Sequence, residues 1–209
     1  MLSIVIPVKY NRLKILLTDD WLMAVPVGTL PALLNHTDID SEVILSVMGG
    51  IEEDFEEIKQ YLESKPGDWM ILHEREDLTE FTAIKNGVDA ARRRYVAIMW
   101  PDVIVQDSRW FGKMQAVFLK APHPGLVAIP GECMGRGSMP PTRLARPYDH
   151  PVAGLILTTK ASLSINEPSS APWEKEFSQR CARNGSSRWV HNGVLFSRFA
   201  NIQESETNG

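Results

Sequence analysis

The chain has 209 residues, 44% hydrophobic and 23% charged, with a formal net charge of -4. That is the composition of an ordinary globular protein with one sizeable core, and it gives no electrostatic reason for a nucleic-acid backbone to be the main partner. Only Cys133 and Cys181 are present, which excludes a disulfide framework, and they lack metal-binding spacing.

The N-terminus opens directly into an apolar segment without a basic leader, and nowhere do about eighteen apolar residues run together. The expectation is a soluble, cytoplasmic protein without a membrane span, with one domain over residues 1–200 and a polar tail over 201–209.

Residues 2–8 (LSIVIPV) are rich in β-branched side chains, which predicts a buried strand ending before Lys9, Tyr10 and Asn11. From 11 to 35 the pattern is helical but broken by Pro26, Gly28 and Pro31, predicting two short helices or one helix and an irregular excursion. A strand follows at 42–48, a tight turn at Gly49-Gly50, and a helix at 53–62 with Phe55, Ile58 and Leu62 on one face. Residues 69–73 read as a third strand. Thr79 caps a helix that turns Phe81, Ile84, Val88 and Ala91 inward and carries Arg92, Arg93 and Arg94 in its last turn.

The run YVAIMWPD (95–102) is a short, continuous apolar stretch that ends abruptly at Trp100, Pro101 and Asp102. It predicts a buried parallel strand ending at Asp102, and an acidic residue at the carboxyl end of such a strand lies where open α/β sheets bind ligands. The simpler alternative is that Pro101-Asp102 is only a turn.

Further along, a helix is predicted at 108–120 and a strand at 126–130. Residues 131–151, with Arg136, Arg143, Arg146 and several prolines, read as a mobile surface loop of the lid-forming kind. Strand and short helix resume at 153–165, a helix at 172–184 stops at Gly185, and 189–199 is a last ordered segment. Strands alternating with helices predict an α/β fold with a parallel or mostly parallel sheet.

There is no internal repeat, Gly-rich phosphate loop, nucleophile elbow or His-Glu-His helix motif. The five histidines are scattered and carry no assigned role.

Three segments, SIVIPVKYN (3–11), TAIKNGVDAARRRYVAIMWPD (82–102) and WEKEFSQRCARNG (173–185), resemble in order and spacing the family 2 glycosyltransferases of the GT-A fold. The resemblance spans most of the chain. It implies a GT-A-like, Rossmann-related sheet flanked by helices, and transfer of a sugar from a nucleotide-activated donor.

Residue by residue, the resemblance puts Pro7, Val8 and Tyr10 beside the nucleotide base and Lys85 and Asn86 on the helix facing the donor. Asp102 takes the last position of a degenerate Asp-x-Asp motif whose first Asp is replaced by Trp100. Glu174 falls on the general-base position, Glu176 on the following acidic one, and Phe177, Arg180 and Gly185 on the motif's Leu, Arg and Gly. Val47 and Met48 stand where an acidic pair usually follows the second strand. About ten extra residues separate Asn11 from the Thr29-Leu30 region.

The implied chemistry needs a stabilised diphosphate leaving group and a base for the acceptor hydroxyl. Asp102 is a suitable ligand for a divalent cation, Mn or Mg, and Arg136, Arg143 and Arg146 offer charge-assisted donors to phosphate. Trp173 joins those arginines as a candidate acceptor or phosphate contact.

The expected enzyme is an inverting hexosyl- or related transferase using a nucleoside diphosphate sugar, with a glycan, lipid, protein or modified nucleic acid as acceptor. A catalytically silent nucleotide-sugar or glycan-binding module is the alternative. A nucleotidylyltransferase is a third reading, but the Gly-rich basic N-terminal loop of such enzymes is not visible.

Overall fold

The computed structural model describes residues 1–17, 28–35, 37, 40–130, 145–147, 153–165, 173–191 and 196–198. In chain order the elements are β1 (Leu2–Lys9), α1 (Leu13–Leu17), α2 (Thr29–Asn35), β2 (Ser41–Met48), α3 (Glu56–Glu63), β3 (Asp68–Glu74), α4 (Glu80–Ala90), β4 (Tyr95–Met99) and β5 (Val103–Val105). There follow α5 (Trp110–Lys120), β6 (Pro124–Pro130), β7 (Ala145–Pro147), β8 (Ala153–Thr159), α6 (Lys160–Ile165), α7 (Trp173–Arg183), β9 (Ser187–His191) and β10 (Phe196–Arg198).

The main sheet has eight strands in the order β3-β2-β1-β4-β8-β6-β9-β7, and β5 pairs with β10 in a separate two-stranded ribbon. The leading half, β3-β2-β1-β4, is wholly parallel. Antiparallel β8 enters between β4 and β6, and β9 returns parallel to β6.

Both faces of the sheet are covered, which is why β1, β2 and β4 read as near-continuous apolar runs rather than as alternations. Along β1, Leu2, Ile4, Ile6 and Val8 enter one core with residues of α1, α2, α3 and α5, while Val5 enters the other with residues of α4, α6 and α7. Trp100, just beyond β4, packs against both cores. Among the described residues, no helix is long and apolar enough to cross a membrane.

Several elements differ from expectation. Helix α4 ends at Ala90, and Ala91 is already extended, so the three arginines lie beyond the helix instead of in its last turn. Lys160 takes over the expected role, donating to the carbonyls of Asp89 and Ala91 at the helix end. Strand β4 stops at Met99 because Pro101 has no N–H for a ladder, and the chain turns there instead. The 131–151 segment, read as loop throughout, contains β7, which places Arg146 in a strand paired with β9. Arg136 and Arg143 lie outside the described residues.

Candidate active site

The parallel half of the sheet brings its carboxyl ends to one edge. Val5 is level with Ile98, Val8 with Val47, and Met48 with Glu74. Tyr10, Gly49-Gly50, Glu74 and the Trp100-Asp102 turn therefore converge, although they are far apart in sequence. Pro7 and Val8 are buried in this floor, and Tyr10 is exposed at its rim.

Gly49 and Gly50 have φ of 79° and 82°, a conformation that a side chain would strain. A Cβ on Gly49 would also lie 3.0 Å from the Tyr10 ring and 3.1 Å from Glu76, so the absent side chain lets the ends of β1 and β2 meet the segment after β3. Beside this junction opens a cavity of about 590 Å³ lined by Gly49, Gly50 and residues 73–77. His73 Nε2 donates to the Gly50 carbonyl at 3.0 Å, and its ring stands edge-on to Phe55.

Glu74 organises the wall of that cavity. Its carboxylate accepts from Asn86 Nδ2 at 2.9 Å, and Ser46 Oγ lies 3.5 Å from it while donating to the Ala83 carbonyl. Asn86 is thereby turned toward β3, and Lys85 is half-buried on the same helix. Sequence reasoning passed over Glu74. The signal was available, since it is an acidic residue at the carboxyl end of a parallel strand, the same argument that singled out Asp102.

On the other side, Trp100 to Val103 form a turn closed by the Val103 N–H on the Trp100 carbonyl at 3.1 Å. Pro101 supplies the preset φ at its second position, and Asp102, half-buried, occupies the third. Thr29 Oγ1 donates to the Pro101 carbonyl at 2.5 Å and ties the turn to α2. Strand end and turn thus coexist at Asp102.

The Trp100 indole lies flat on that of Trp173, with centroids 5.6 Å apart and planes within 5°. Phe81 continues the column at 5.7 Å from Trp173. Trp173 is 6% exposed, so its ring faces these neighbours and leaves little surface for an acceptor. Glu174 is the second residue of α7, directly after this anchor, and its side chain lies outside what the structure describes. Glu176 pairs with Arg180 at 2.9 Å along the helix, and Gly185 ends it with φ of 72°.

The described residues do not build a cation site. Trp100 replaces one carboxylate and is committed to the aromatic stack, leaving Asp102 without a second acidic ligand from that motif. Among the described residues, no group of three or more His, Cys, Asp or Glu side chains could hold a metal ion. Cys181 is buried, which pushes its pKa up to about 12 and keeps it a packing thiol.

This architecture has counterparts among solved structures. The crystal structure of S. aureus TarS 1-349 matches 93% of this chain and 59% of its own, with a TM-score of 0.65 and 14% identity. The same protein in complex with UDP-GlcNAc matches with a TM-score of 0.66 at 13% identity, over 93% of this chain and 57% of that one. GalNAc-T7 with UDP, GalNAc and Mn2+ matches with a TM-score of 0.69 at 13% identity, over 94% of this chain and 43% of that one.

The chain has a GT-A fold. At these identities the likeness speaks for the fold, and the chain spans roughly two to three fifths of the length of these structures. No family model matches the sequence, and no curated protein sequence matches it. The carboxyl edge of the parallel strands carries the Asp102 turn and the start of α7 at one end and the cavity beside Glu74 at the other.

Proposed function

We propose that the protein is a glycosyltransferase that moves a sugar from a nucleoside diphosphate donor to an acceptor hydroxyl with inversion at the anomeric carbon. The observation that carries this reading is the Trp100–Trp173 stack on a GT-A fold, because it brings the Asp102 turn and the Glu174 turn together at the carboxyl edge. The nucleoside occupies the cavity beside Tyr10, Gly49 and Glu74, and the diphosphate points toward Asp102.

In the transfer step, the acceptor oxygen attacks the anomeric carbon and forms the new C–O bond. The bond from that carbon to the β-phosphate oxygen breaks, and its electron pair leaves with the diphosphate. The acceptor proton passes to the Glu174 carboxylate. A single base on the acceptor side suffices for inversion.

The test uses donor turnover and donor affinity together. Donor-only hydrolysis is measured with UDP-GlcNAc and other nucleotide sugars, and Glu174→Gln is compared with wild type. A general base contributes about 10²- to 10⁴-fold to rate, so Glu174→Gln should lower turnover by that factor and leave donor affinity nearly unchanged. A fall below about tenfold removes Glu174 from the role. Loss of donor binding with earlier melting instead makes it a helix-entry residue.

The silent binding module is the second reading, favoured by the indole that stands in the place of an acid at Trp100. Nucleotide-sugar binding without turnover by wild type would establish it.

A further inference from the structure

We propose that Trp100 and Trp173 are positioning residues whose stacked indoles set the placement of the first turn of α7 against the Asp102 turn. The inference rests on the glycosyl-transfer reading for its chemical consequence but not for its structural part.

Helix α7 buries Trp173, Phe177 and Cys181, an i, i+4, i+8 stripe. Its later turns are seated on β6, where a Cβ on Gly125 would lie 2.9 Å from the Cys181 sulfur. In its first turn Trp173 is buried against Trp100 and Phe81, while Lys175 is exposed and Glu176 pairs with Arg180.

What Trp173 meets is itself fixed. Trp100 leads into a turn held by the Val103–Trp100 hydrogen bond and by Thr29 on the Pro101 carbonyl, so its ring is a rigid platform. Two planes within 5° resist tilting more than an aliphatic contact does, and Phe81 backs Trp173 from the start of α4. Trp100 stands two residues before Asp102, and Trp173 one residue before Glu174. The stack therefore ties the diphosphate end of the site to the base end. It also accounts for the departure at Trp100, since an acid there would leave the buried Trp173 face without its aromatic partner and place a charge against it.

The full chain is tested as Trp100→Leu, which keeps apolar bulk without the ring, and as Trp100→Phe, which keeps a smaller ring. Far-ultraviolet circular dichroism should lose the exciton couplet of the stacked indoles in both variants. Residue-resolved amide exchange reports the coupling directly, because the Phe177 and Ser178 N–H groups bond the carbonyls of Trp173 and Glu174 in a regular helix. In Trp100→Leu these two amides should exchange about tenfold faster, with β4 and the last turn of α7 unchanged. Uniform exchange along α7, or no change at Phe177 and Ser178, overturns the proposal.

With UDP-GlcNAc as probe, kcat should fall by up to about 10²-fold in Trp100→Leu with KM little changed, and Trp100→Phe should recover most of it. A loss confined to KM overturns the positioning role. If the exchange response is present but wild type turns over none of the nucleotide sugars tested, the transferase reading fails while the coupling stands.

Discussion

Asp102 has the right chemistry for a hard cation but lacks a second acid from its own motif. Hard divalent cations take several oxygen ligands, so one carboxylate leaves most of the coordination to phosphate oxygens and water. Calorimetric titration of Mn2+ into the free protein should give weak binding, and UDP should strengthen it. Asp102→Asn should remove the UDP-dependent gain. Tight binding to the free protein that Asp102→Asn abolishes would mean that further ligands complete the site. Glu74 is also an acidic residue at the carboxyl end of a strand, but Asn86 already engages it, which makes it a wall of the cavity and a brace between β3 and α4.

Helix α4 carries much of the geometry at the scale of elements. Thr79 accepts from the Thr82 N–H at its start, and Lys160 donates to carbonyls at its end, so both termini are satisfied by side chains. Between them Gly87 lets the helix lie close on β1, where a Cβ would stand 2.5 Å from Cγ1 of the buried Val5. Alanine would favour the helix by about 0.5–1 kcal/mol, but the clash with a packed β-branched side chain outweighs that gain. Gly87→Ala should therefore cost about 1–3 kcal/mol, read as a lower melting temperature. Adding Val5→Ala should relieve the clash, making the double variant more stable than the sum of the two single losses predicts. Simple additivity would show that the helix shifts freely instead.

Across the whole molecule, the edge opposite the site is held by a polar cluster. Glu42 is fully buried, accepts from Ser3 Oγ at 2.6 Å and from the Arg92 N–H at 2.9 Å, and pairs with the Arg92 guanidinium. Arg93 reaches Asp40 and Asp68, so the arginine run after α4 links β1, β2 and β3. Burial opposes ionisation of Glu42, but the Arg92 N–H, the Ser3 hydroxyl and the Arg92 guanidinium together hold its pKa below the ordinary glutamate value. A lowered folded-state pKa means that the unfolded chain binds the proton more readily. The contribution of Glu42 is thus complete above the ordinary glutamate pKa and is lost as pH falls through the lowered one. Glu42→Gln should lower stability at neutral pH by about 1–3 kcal/mol and flatten its fall in acid. Denaturant melts across that range check it, and an unchanged acid limb would assign the pH dependence to other carboxylates, Asp107 beside Lys113 first among them.

The apolar runs of β1, β2 and β4, the Thr79 cap, the inward face of α4 and the Gly185 stop were all legible in the chain itself. Each depends on neighbours within a few residues, where hydrophobic period, capping chemistry and backbone freedom are local properties. The order of segments also carried the likeness to a GT-A fold. The entry of β8 between β4 and β6, and the three-residue strands β5, β7 and β10, were not legible, because such short strands have no measurable period and are defined by their partners. The same holds for Trp100 on Trp173, Asn86 on Glu74, Gly87 against Val5 and the arginines on Glu42, Asp40 and Asp68. These pairings join residues distant in the chain, and their energies depend on strand register and helix seating, which exist only once the sheet has formed.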